Sequence, residues 1–358
     1  MLRTSTMVAA VVVTQLLFTL GCQQTPAHGQ AQPAMGTTAT VPLDTIAFNK
    51  DFEGQTWLCV ISSDGSGFRK LQRCHCPTGP SLGWVSPGHL IYRDDGNLFE
   101  LDLKGGGRRQ VTFEGKPGTE METPECSFLQ YNAATNLLIY SVSLTSSYHE
   151  IVPKLWFRDL TTLQQQGLPC RRKVTGAGST RAYLWQDVNN GDTCRLVCYN
   201  LADGTETTLL EEEEGPSVGD LTPSPDGNYA VFDNGRGIKL VDPRTKEIKT
   251  IGQCGAGLCW SASGHEIAYV DRGSTQDGPP TLPSSIWITD TQGERRLVLR
   301  LEATDITLCG WTSDNHLLYR AWGRTTGNKG KTFLYAVKGQ QAHEVPELAG
   351  ASCITLGR

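Results

Sequence analysis

From residue 43 onward, short apolar runs alternate with polar turns, and one three-residue apolar run recurs at nearly even intervals. It reads Ile46-Ala47-Phe48, Leu90-Ile91-Tyr92, Leu138-Ile139-Tyr140, Tyr183-Leu184-Trp185, Ala230-Val231-Phe232, Ile267-Ala268-Tyr269 and Leu317-Leu318-Tyr319. Successive starts lie 44, 48, 45, 47, 37 and 50 residues apart. Runs this short, bounded by Gly, Pro, Asn, Asp and Ser, predict strands; no helix-period stretch of useful length occurs beyond the N-terminus.

Residues 221–251 show the plan of one unit. Ser224-Pro225-Asp226-Gly227 predicts a turn, because proline presets φ ahead of a glycine that tolerates positive φ. Three strands follow, at 229–232, 238–241 and 246–251. A meander of this size cannot bury both faces alone, so it needs copies of itself on either side. The second strand of each unit ends in a polar turn, as in TWLCVISSDG, NLFELDLKGG, GIKLVDPRT and SIWITDTQG. A further strand enters a turn before most units, as in Gly83-Trp84-Val85-Ser86-Pro87-Gly88, Cys259-Trp260-Ser261-Ala262-Ser263-Gly264 and Gly310-Trp311-Thr312-Ser313-Asp314.

This repeat resembles the WD40-like units of the TolB-type β-propellers, which read W-S-P-D-G, then I-A-F, then I-W-x-x-D-x-x-G. Ser224 to Gly227 preserves S-P-D-G, with Thr222-Pro223 in place of the tryptophan. The resemblance implies an all-β, seven-bladed β-propeller of four-stranded antiparallel blades over residues 43–358, with six blades as the alternative. The first unit has no innermost strand of its own. Ser352-Cys353-Ile354-Thr355-Leu356 alternates like a strand and is expected to close the ring as the fourth strand of the first blade, leaving no open edge there.

The chain carries 32 Lys+Arg against 37 Asp+Glu, a net charge of −5, which gives no electrostatic case for nucleic acid. Its N-terminus departs from the repeat. Arg3 precedes an apolar stretch from Met7 to Leu20, too short to span a bilayer as a helix, so residues 1–21 read as a signal peptide. The segment Leu17-Phe18-Thr19-Leu20-Gly21-Cys22 resembles a bacterial lipobox and implies a lipid on Cys22; the alternative is an ordinary secreted protein cleaved near Ala27 or Ala31. Residues 22–42, rich in Gln, Pro, Ala and Thr, read as a flexible tether.

Twelve cysteines in an exported chain suggest some disulfides. Cys194 and Cys198 stand four apart on one strand and are too far apart to bridge each other. Cys259, Cys309 and Cys353 fall in innermost strands, where cysteine serves as a small apolar residue. Cys74-His75-Cys76 has zinc-ligand chemistry but no second close pair, so a disulfide is the stronger reading. The related oligogalacturonate lyases use a histidine-bound metal. His89, His265 and His316, however, follow equivalent turns of different units, so a ring spreads them apart. No G-x-S-x-G elbow occurs, and no catalytic residue, cofactor or metal site is assigned. Asp187 to Asp192 reads as a hairpin turn, and Glu211 to Glu214 as a solvated loop.

Loop lengths supply the main functional signal. With strands lettered a to d from channel to rim, the a–b and c–d turns are tight. The b–c and d–a connections, which emerge together on the opposite face, are longer and more variable. Loops over a rigid scaffold are where binding residues concentrate, so Tyr148, His149, Glu150, Arg272, Asp277, Trp322 and Arg324 are the candidate contacts. The resulting expectation is a monomeric, exported, lipid-anchored binding or scaffold module of the bacterial envelope, periplasmic or on the outer membrane, with a protein partner. The alternative is a carbohydrate or peptide receptor, or a propeller enzyme, with its site on the long-loop face. A pocket of convergent carboxylates would favour the enzyme, and a shallow mixed rim the binding module.

Overall fold

The seven apolar triads are all strand residues exposed by 5% or less. A computed structural model describes residues 44–75, 81–116, 124–132, 135–144, 154–168, 172–178, 180–188, 193–213, 221–253, 255–271, 284–301, 304–323, 331–337 and 341–357. Each triad lies in strand b of a four-stranded antiparallel sheet, and the described residues form seven such sheets. The innermost strands touch in cyclic order, so the sheets are the blades of a seven-bladed propeller.

Blade 1 consists of Ile354–Gly357, Thr45–Phe52, Gln55–Ser62 and Arg69–Arg73. Blade 2 is Leu82–Ser86, His89–Asp94, Asn97–Asp102 and Arg108–Gln110. Blade 3 is Pro124–Asn132, Leu137–Leu144, Lys154–Asp159 and Gln165–Leu168. Blade 4 is Arg172–Ala177, Arg181–Val188, Thr193–Asn200 and Glu206–Glu213. Blade 5 is Leu221–Pro223, Ala230–Asp233, Ile238–Asp242 and Glu247–Gly252. Blade 6 is Ala256–Trp260, Glu266–Asp271, Ser284–Asp290 and Arg295–Leu301. Blade 7 is Thr304–Trp311, His316–Gly323, Lys331–Ala336 and Gln341–Glu344.

The expected closing strand is present. Ile354 to Gly357 pairs antiparallel with Phe48 to Thr45, which completes blade 1 from both ends of the propeller. The segment leading into it is fastened by Asn49, whose N–H donates to Cys353 O at 3.1 Å while its carbonyl accepts from Ser352 N at 2.8 Å. Lys50 Nζ donates to Glu347 O at 2.7 Å, and the Arg320 guanidinium donates to Ala351 O. Leu348, Ala351, Ile354 and Leu356 pack with Ile46 and Phe48, so the closure is apolar as well as hydrogen-bonded.

The a–b turns of blades 5, 6 and 7 share one device. Buried Ser224 donates its hydroxyl to Asp226 Oδ1 at 2.6 Å and accepts from Tyr229 N at 2.9 Å. In blade 7, Thr312 does the same with Asp314 at 2.6 Å and His316 N at 2.8 Å. In blade 6, Ser261 accepts from Glu266 N at 3.1 Å. One side-chain oxygen thus satisfies a backbone donor that the sharp reversal leaves without a sheet partner.

One reading is corrected. Glu211, Glu212 and Glu213 belong to strand d of blade 4 rather than to a loop, with Glu211 opposite Arg195 and paired to it at 2.9 Å. Acidic runs resemble loops in composition, but an outermost strand tolerates charge because one edge faces solvent. Among the described cysteines Cys59, Cys126, Cys198, Cys309 and Cys353 are free thiols, so Cys194 and Cys198 do not bridge each other, as their spacing implies. Residues 1–43, including the signal-peptide and tether readings and Cys22, lie outside the described residues, as do Cys76, Cys170 and Cys254.

Candidate functional site

The axial mouth on the tight-turn face is lined by residues in, or directly after, all seven innermost strands. Its wall holds Trp84 and Phe128 from blades 2 and 3, Thr222 and Pro223 from blade 5, and Thr355 and Leu356 from blade 1. Gln130, Gly178, Cys259 and Gly310 complete the circuit around a cavity of about 380 Å³. No Asp, Glu, His, Lys or Arg is among the described residues lining it.

Register explains why these side chains converge. Trp84, Trp260 and Trp311 each stand opposite the first residue of their blade's triad, Leu90, Ile267 and Leu317. Pro223 occupies that position in blade 5 and Leu356 in blade 1. Two of the tryptophans fasten blades together. Trp260 Nε1 donates to Thr222 O at 2.9 Å, and Trp311 Nε1 donates to Cys259 O at 3.2 Å, each reaching the innermost strand of the preceding blade. Trp84 is half-buried, and its Nε1 is buried without a hydrogen-bond partner among the described residues. At Gly310, φ is +142°, and a Cβ there would come 3.0 Å from Leu356 Cδ1. The glycine lets Leu356 of blade 1 close against blade 7.

Deeper thiols are poor nucleophiles. Burial pushes Cys309 up to about 12 and Cys353 up to about 11, so neither is a thiolate near neutral pH. His89 and His316 lie in blades 2 and 7, held by Glu100 at 3.1 Å and Asp314 at 2.8 Å, while His265 precedes strand b of blade 6. Their separation around the ring follows from their equivalent positions. Among the described residues no group of three His, Cys, Asp or Glu side chains is arranged to hold a metal. Cys74 is buried between blades 1 and 2, and His75 pairs with Asp95 at 2.8 Å.

On the opposite face, Trp322 stands near the end of strand b in blade 7, paired with Asp305 and with the Arg320 guanidinium 6.0 Å from its ring centroid. The strand runs further than the loop boundary read from sequence. Tyr148, His149, Glu150, Arg272, Asp277 and Arg324 lie outside the described residues. The axial mouth itself went unnoticed in the sequence. Its only sequence signal was the tryptophan before the turn in three units, Trp84, Trp260 and Trp311, which identifies the position but not which indole is pinned.

No protein-family model and no curated protein sequence matches the chain. Solved structures do share its fold. An oligogalacturonate lyase in complex with manganese is 16% identical over 85% of this chain and 84% of its own, with a TM-score of 0.54. A functionally unknown protein from Desulfotomaculum acetoxidans is 11% identical over 88% and 99%, also at 0.54. The neighbours include TolB from Acinetobacter baumannii, 14% identical over 87% and 82%, at 0.48. At these identities the likeness is one of fold, and a propeller fold hosts many activities.

Proposed function

We propose that the chain is a non-catalytic binding module of the bacterial cell envelope, exported, held to a membrane by lipid on Cys22, and engaging a protein partner through its long-loop face. The observation that carries this reading is the asymmetry of the two faces. On one face the strands reverse within a few residues, as between Ser86 and His89, and hydrogen bonds close the turns. On the other, strand b ends at Leu144, Asp271 and Gly323, whereas strand c resumes only at Lys154, Ser284 and Lys331. A rigid ring with long connections on one side has the form of a scaffold presenting loops. The axial mouth, whose described lining carries no Asp, Glu, His, Lys or Arg, supports adhesion over proton transfer, which needs titratable groups near the reacting atoms.

The test is capture of envelope proteins from native membranes. Alanine at Tyr148, His149 and Arg324 should weaken capture without lowering the melting temperature, and alanine at Asp226, Arg244 and Lys246 on the tight-turn face should not. Loss from the second set alone would move the partner surface to the other face. Fatty-acid labelling that persists in Cys22→Ser would remove the anchor.

A further inference from the structure

We propose that the axial mouth is a binding site for an uncharged oligosaccharide, separate from the protein-binding face. Lining chemistry limits the ligand first. A carboxylate or ammonium entering this mouth would lose water and meet no opposite charge among the described lining residues, a cost that disfavours acidic and basic ligands alike. The wall is also not uniformly apolar. Trp84, Phe128 and Pro223 share it with Gln130, Thr222 and Thr355, the Thr222 hydroxyl donating to Leu258 O at 3.2 Å and keeping its lone pairs to accept. A pyranose has the matching character, with C–H groups for an aromatic or proline face and a rim of hydroxyls that donate and accept. Its volume of about 380 Å³ lies in the range of small-ligand sites.

Trp84 is the specific recognition element. Trp260 and Trp311 hold the same register position but spend their indole N–H on the neighbouring blade. Trp84 lacks that fastening and is partly exposed, so its ring can adjust to a bound sugar. The Trp84 Nε1 is itself buried, so the ring face meets the sugar first, and only a turn of the ring toward the mouth would bring this costly unpaired donor to a sugar hydroxyl.

Calorimetric titration of the folded protein tests the site, using cellohexaose, maltohexaose and N-acetylglucosamine hexamer as neutral probes. Hexagalacturonate, glucosamine hexamer and an uncharged Gly-Pro-Phe hexapeptide serve as comparators. At least one neutral sugar should bind, with Trp84→Ala weakening it about tenfold or more, which corresponds to roughly 1.4 kcal/mol. Thr355→Val, which keeps shape and removes a hydroxyl, should weaken it several-fold with an unchanged melting temperature, covering the case that Trp84→Ala unfolds. Arg244→Ala should have no effect. The proposal is overturned if no neutral sugar binds at millimolar concentration, if a charged sugar or the peptide binds as well, or if both mouth variants bind normally. Such a failure leaves capture through the long-loop face intact, so the two readings fail separately.

Discussion

A Cβ placed on Gly83 of blade 2 would fall 1.9 Å from Cε1 of Phe128 in blade 3. The missing side chain is therefore the space in which the Phe128 ring sits, and this packing sets Phe128 at the wall of the axial mouth. Gly83→Ala should destabilise the protein by about 1–3 kcal/mol through overpacking. The double variant with Phe128→Ala should lose less than the sum of the two single losses, because removing the ring also removes the clash. Thermal melts of the two single variants and the double variant measure this coupling. Additive losses would mean that the ring does not occupy the glycine's space.

Packing between blades makes the largest single contributions. Phe232 is fully buried and meets Trp185 of blade 4 edge-on, with ring centroids 6.0 Å apart and planes at 80°. Phe232→Ala should cost about 3–5 kcal/mol. Asp226→Ala removes hydrogen bonds at a partly exposed turn and should cost about 1 kcal/mol. Equal losses in denaturant titrations would contradict the interblade role.

Leu163 closes the c–d turn of blade 3 with φ +56°, the place taken by Gly106 and Gly204 in blades 2 and 4 and by Lys246 in blade 5. A bulky side chain in the left-handed region costs about 1–2 kcal/mol, partly offset by the greater freedom glycine has when unfolded. Leu163→Gly should raise stability by about 0.5–1 kcal/mol. A lowered melting temperature would show that the Leu163 side chain contributes packing beyond this strain.

The same turns give the fold an acid limit. Backbone N–H groups of Lys104 and Gly105 hold Asp102 below the usual carboxylate range, those of Thr162 and Thr161 hold Asp159, and Arg244 with its own backbone N–H holds Asp242. A depressed pKa in the folded state contributes stability above the unfolded value, and that contribution is lost as pH falls through the folded value. From these carboxylates the melting temperature should therefore be level between pH 7 and 5 and fall below about pH 4. Replacing Asp102, Asp159 and Asp242 with Asn together should make the acid side of the profile shallower. An unchanged profile would assign the acid loss to other groups.

The propeller was legible because the triads are buried in every blade and therefore apolar in every unit, so their spacing survives divergence elsewhere. Closure by residues 354–357 was legible for a different reason, since the first unit plainly lacked an innermost strand. The axial mouth was not legible. Trp84 and Trp260 occupy the same motif position, and only the carbonyl of an adjacent blade decides which indole is fixed. Phe128 is likewise unremarkable in sequence, since what brings it to the mouth is a glycine from another blade, 45 residues earlier. Local pattern found the elements, and contacts between blades selected the site.

The closing strand offers the most demanding test of the architecture. Ile354 to Gly357 pairs with one edge of Thr45 to Phe48, and Leu356 packs against blade 7 at Gly310. Removing residues 350–358 would open the hydrogen-bonding edge of a buried strand and expose Ile46 and Phe48. The shortened protein should aggregate, or melt with a loss well above the roughly 4 kcal/mol that single substitutions seldom exceed. A peptide spanning residues 344–358, added in trans, should restore part of the melting temperature by occupying the vacant edge. Substituting Leu356→Asp in that peptide should abolish the rescue, because the aspartate would be buried unpaired between blades. A shortened protein that stays monomeric and melts as the full chain does would show that the ring holds without its fastening.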